Sequence, residues 1–170
     1  MDDDETITAY HEAGHAVVGY ALGATVDSMQ LGGEADQWLP RRFGECRVNW
    51  GTVDPNQDWQ RTREILTVLA GPVAEMIYRG EFELEDFHGT WLDDWQRANS
   101  LAEKILQTRS AMSTDARNRL LGQLINELQR QLAEQPYWGA IAAIADELLA
   151  NEFLEAELIE DTLQFWLRVR

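Results

Sequence analysis

Apolar residues recur near a 3.6-residue period over most of the chain, and one stretch switches to alternation. Residues 1–22 predict a helix. Ile7, Tyr10, Ala13, Gly14, Val17, Val18 and Ala21 line one face, Asp2 to Glu5 place negative charge in the first turn, and Gly23 offers a stop. Val26, Met29 and Leu31 form a short strand candidate closed by Gly32-Gly33. Cys46, Val48 and Trp50, alternating with Arg47 and Asn49, form a second over residues 43–50, and the polar segment between them, with Pro40, reads as a loop. Asp58 to Tyr78 predicts a helix with a kink at Pro72. A loop over residues 80–89 leads to a helix from Thr90 through Leu106. Another follows from Asp115 to Glu134, then one entered at Pro136 and ending near Asn151, and a short last element from Glu155 to Leu167. No repeat and no Gly/Ser linker divides the chain. The expectation is a mainly α single domain over residues 1–170, with a small β-sheet inserted after the first helix.

Charge narrows the choice of partners. Thirty acidic residues against 14 basic ones give a formal charge of −16, which repels phosphate backbones and anionic lipid, so neither nucleic acid nor membrane is an expected partner. Lys104, the only lysine, follows Glu103, so a glycine-lysine phosphate loop is excluded and no ATPase motor is expected in the chain itself. The single cysteine, Cys46, allows neither an internal disulfide nor a multi-cysteine zinc site. The acidic start is unlike a signal peptide, and the longest uncharged apolar run, Ile65 to Ala74, falls well short of the ~20 residues a bilayer requires. A soluble cytoplasmic protein is expected.

The chemistry concentrates in the first helix. His11-Glu12-Ala13-Gly14-His15 is an HExxH pattern built from two of the chain's three histidines. Residues i and i+4 share a helix face, so both imidazoles can reach one Zn²⁺, and Glu12 stands where it can take a proton from the metal's water and hand it to a leaving amine. The plainer reading is a pair of ordinary helix histidines. A catalytic zinc takes a third protein ligand. Thr90 and Asp93 match a helix-capping box, which occupies Asp93 with the backbone and leaves Asp94 free. Asp94 ranks first as third ligand, Glu75 second and the loop histidine His88 third.

These residues carry a resemblance. The segment Ala9 to Val18 resembles the HEAGHAVV helix of the peptidase domain in FtsH-type ATP-dependent zinc proteases. Leu69 to Ile77 is similar to that family's glycine-rich segment ending in Ala-Glu, Asp94 to Ala98 to its aspartate-led helix, and Ile144 to Ile159 to its C-terminal helical pair. The resemblance implies zinc held by His11, His15 and Asp94, Glu12 as catalytic base, and Glu75 orienting a ligand histidine. Unlike the rest of that family, the chain is expected to be a free-standing relative without the membrane anchor and AAA+ module. Its substrates would be peptides, unfolded protein, or material passed on by a separate ATPase. Pro72, and the segment from Phe87 to Leu92, depart from the family pattern.

Two rivals belong to other classes: a non-catalytic zinc-binding module, and a metal-free protein-interaction module on the same fold. Trp91 and Trp95 flank Asp94 and are weighed as cleft walls against ordinary packing. The strand over residues 43–50 is weighed as an edge for an extended substrate against a plain sheet strand. Cys46 reads as a small buried hydrophobe, and the acidic last helices as a solvated face.

Overall fold

The computed structural model describes residues 3–32, 44–81 and 91–168. The chain is mainly helical, with six helices and three short strands among the described residues. Helix α1 (Asp3–Ala21) leads into strands β1 (Thr25–Leu31) and β2 (Gly44–Asn49). Helices α2 (Asp58–Arg79), α3 (Leu92–Thr108), α4 (Thr114–Leu132) and α5 (Tyr137–Asn151) follow, then β3 (Phe153–Glu155) and α6 (Ala156–Leu167). Among the described residues no helix is long and apolar enough to cross a membrane. The loop expected around Pro40 and most of the one over residues 80–89 lie outside the described residues.

Pro72 does not end α2, which continues to a left-handed Gly80 that caps its last carbonyls. Helix α4 starts from Ser113, whose hydroxyl accepts a bond from the Ala116 amide. At α3 the capping position falls on Trp91, one residue beyond the expected Thr90, and carries no side-chain cap because an indole has no acceptor. Thr90 itself is outside the described residues.

The sheet is antiparallel in the order β2-β1-β3. Strand β3 was not expected. Its three residues carry no readable period, and it exists because Leu154 pairs with Met29 and both are almost wholly buried. Strand β2 forms the other side of the sheet, paired through Cys46 and Met29.

What places the site is a seam of small residues between α1 and α2. Ala13, Gly14, Ala70, Gly71 and Ala74 are all buried there. A Cβ on Gly14 would run into the Ala70 carbonyl and stand 2.8 Å from the Ala74 Cβ, so the close approach requires glycine. Large apolar side chains fill the remainder: Ile65 and Leu69 from α2, Ile105 from α3, Leu121 and Ile125 from α4, Ile141 and Ile144 from α5. The seam lets α2 pass directly over the HExxH face of α1.

Candidate metal centre

His11 and His15 lie one turn apart on α1, with their rings edge-to-face and centroids 4.9 Å apart. Each is held at Nδ1. His11 Nδ1 donates to Glu75 Oε2 at 3.0 Å, and His15 Nδ1 donates to the Thr67 carbonyl at 2.8 Å. Anchoring Nδ1 on an acceptor leaves Nε2 as the ring atom that, once it gives up its proton, ligates a metal. Both Nε2 atoms face Asp94 Oδ2, at 2.9 Å from His11 and 3.4 Å from His15. One ligand atom from each of His11, His15 and Asp94 falls within 4.8 Å of the others. Two imidazoles and a carboxylate are a donor set suited to Zn²⁺, so these residues fit the group.

Gly71 makes the convergence possible. A Cβ there would press on the Nε2 atoms of both histidines, 2.8 Å from that of His11. Glu12 is buried beside the pair, its side chain lodged against the start of β2. A Cβ on Gly44 would lie 2.7 Å from its Cγ and 2.8 Å from its Oε1. Glu75 is 1% exposed and is held from several sides: His11 and the Trp91 indole on Oε2, Arg79 on Oε1 at 3.3 Å. Asp94 sits in the first turn of α3, while Asp93 is exposed and stands outside the cluster. His88 lies outside the described residues.

Without metal, the donors share protons. Burial disfavours the His11 imidazolium, but bonds to Asp94 and Glu75 and the charge of Glu12 outweigh it and push the pKa up to about 10. His15 is raised for the same reason, with Asp94 outweighing burial. Asp94 resists burial through its two imidazoles and is held well below the usual carboxylate range. Burial raises Glu12, partly offset by the same histidines. In the metal-free protein the His11 contribution to stability is therefore full below pH 6.5 and is lost as the pH rises through about 10. Metal uptake near neutral pH must displace these protons.

A cleft of about 310 Å³ opens beside the cluster, lined by His15 and Asp94, by Cys46 and Val48 of β2 and by Trp50 just after it. Glu64 and Arg97, an ion pair at 3.2 Å, also line it. The tryptophan on its wall is Trp50, not Trp91 or Trp95. Trp91 is buried against Glu75, and Trp95 packs against the core. Arg63 lies over the Trp50 ring at 4.8 Å and over Trp59 at 4.3 Å, and donates to the Leu22 carbonyl at 2.7 Å, which fixes the wall.

Sequence reasoning did not foresee the Thr67 carbonyl, the Trp91 bond or the Arg63 clamp. A backbone carbonyl has no sequence signature, and the other two depend on side chains brought together from different parts of the chain. Gly71, by contrast, stands out in the sequence as a residue that permits close approach.

An HExxH helix whose two imidazoles meet a carboxylate from another helix is compatible with a metal-dependent hydrolase site. In agreement with that class, the chain is similar to the mitochondrial inner membrane m-AAA protease component AFG3L1 of Mus musculus, 29% identical over 153 residues. The match covers 85% of this chain and 17% of that protein, so the chain spans under a fifth of the length of the curated relative it matches. No protein-family model matches the chain. The likeness is distant.

The adjacent aspartates can be told apart directly. Asp94→Asn should weaken zinc binding sharply while helix content is kept, whereas Asp93→Asn should leave zinc affinity unchanged. Competition titration of both variants against a chromophoric chelator checks this. Equal affinities for the two would remove Asp94 from the site.

Proposed function

We propose that the chain is a zinc-dependent metallopeptidase in which His11, His15 and Asp94 hold the metal and Glu12 is the general base. The observation that carries the reading is the shared focus of two imidazole Nε2 atoms and one carboxylate oxygen, with both Nδ1 atoms already committed. Zn²⁺ bound there would supply Lewis acidity, acidifying a water molecule and polarising a scissile carbonyl. Glu12, buried next to His11 and with its pKa raised by burial, takes the proton of the attacking water and passes it to the leaving amine. Glu75 fixes the ring of His11, and the Thr67 carbonyl that of His15.

The substrate reading rests on the cleft. Strand β2 pairs with β1 alone among the described strands, and its residues Cys46 and Val48 face the cavity. An extended peptide laid along β2 would gain main-chain hydrogen bonds and pass the cluster end-on, which requires an unfolded segment. Peptides, unfolded protein, or chains delivered by a separate ATPase meet that requirement.

The test is metal removal. Purified protein should contain about one zinc per chain and cleave an unstructured polypeptide such as casein. Cleavage should stop on chelation and return with added zinc. Stoichiometric zinc with no hydrolysis of any unfolded substrate would favour a purely metal-binding role, and hydrolysis that survives complete zinc removal would overturn the site.

A further inference from the structure

We infer that Trp91 is a positioning residue for the third ligand: its indole N–H, bonded to Glu75, ties the start of α3 to the carboxylate that also holds His11. The inference rests on the zinc reading above and deepens it. Asp94 is the donor that comes from a helix other than α1, so something must set the first turn of α3 against the HExxH face. The fully buried apolar residues of α3 begin at Ala98 and continue through Leu101, Ala102 and Ile105, while in the first turn Trp95 packs against the core but is only partly buried. Ahead of them Leu92 and Asp93 are exposed. Trp91, at the capping position, is 6% exposed, and its Nε1 donates to Glu75 Oε2, the oxygen that accepts from His11 Nδ1.

One carboxylate on α2 therefore joins α1, through His11, to α3, through Trp91, and Arg79 holds its other oxygen from the surface. Because Glu75 is almost wholly buried, its charge needs these donors, and their directions are correspondingly fixed. Trp91 precedes Asp94 by three residues, so the two side chains lie on the same side of the first turn of α3, Trp91 reaching Glu75 of α2 and Asp94 reaching the histidines of α1. Loss of the N–H leaves the ring in place but lets the turn that carries Asp94 drift relative to His11 and His15.

The experiment is a double-mutant cycle read by zinc affinity. Trp91→Phe keeps a buried aromatic ring and removes the donor. It should lower zinc affinity about 10-fold or more in an otherwise native protein. In a Glu75→Ala background the same change should have no further effect, since the link runs through Glu75. Unchanged affinity in the single variant, or equal losses in both backgrounds, would overturn the inference by showing that Trp91 only packs. A second measurement needs no substitution of Trp91. Of the seven indole N–H proton resonances, one should lie downfield, resist solvent exchange and shift on zinc addition, and it should lose that position in Glu75→Gln. Zinc binding that moves no indole resonance refutes the role. If the wild-type chain takes up no zinc at all, it is the proposed metal site that fails, and the two failures are distinct.

Discussion

Glu12→Gln should reduce peptide hydrolysis about 10²–10⁴-fold while zinc content and thermal stability stay near those of the wild type. Glutamine matches the shape of glutamate, so the pocket between α1 and Gly44 remains filled, and the close approach of β2 is unaffected. The three candidate donors keep their anchors, because neither the Glu75 nor the Thr67 bond involves Glu12. What disappears is a group that can accept a proton and return it. Glu12 is buried, and its pKa is raised by desolvation against the opposing pull of the imidazoles, so it is less acidic than an exposed glutamate and better matched to proton transfer near neutral pH. Kinetics on an unstructured peptide, with metal analysis of the same preparation, check the result. Undiminished turnover would move the base elsewhere, and loss of zinc together with activity would give Glu12 a structural role instead.

Gly71→Ala should sharply weaken zinc binding without altering a ligand. The added methyl would press on Nε2 of both His11 and His15, the two lone pairs that define the site. Zinc affinity should fall on the order of 100-fold or more, a larger loss than a displaced hydrogen-bond partner causes. Alanine favours a helix over glycine by about 1 kcal/mol, so α2 has no local reason to weaken. Calorimetric zinc titration beside circular dichroism separates the two effects. Native affinity in this variant would mean that the imidazole Nε2 atoms do not meet at Gly71, and the site would have to be redrawn.

The helices were largely legible in the sequence. Apolar residues at helical spacing, with Gly23, Gly80 and Pro136 near the ends, place α1, α2, α4 and α5 to within a few residues, because amphipathic periodicity and end signals are local properties. The sheet was legible only in part. The β1 and β2 patterns can be read, but β3 is three residues long and is defined by its pairing with β1, a contact across more than 120 positions of chain. At α3 the capping pattern placed the cap on Thr90, whereas the structure puts it on Trp91. That shift of one residue leaves Asp94 in the first turn and facing the histidines.

The sequence by itself determined the chemistry on offer. His11, Glu12 and His15 share one helix, and the i, i+4 relation that brings two imidazoles together follows from helix geometry alone. Which carboxylate meets them is decided by tertiary structure. Asp93 and Asp94 are the same residue type, side by side on one helix, and only the way α3 packs against α2 turns the second of them toward the Nε2 atoms. The same holds for Glu75, Thr67 and Trp91, whose partners lie 64, 52 and 16 residues away. The reason is the small-residue seam at Gly14, Ala70 and Gly71. It lets α1 and α2 approach closely enough for hydrogen bonds to cross between them, a distance that no stretch of either helix specifies alone.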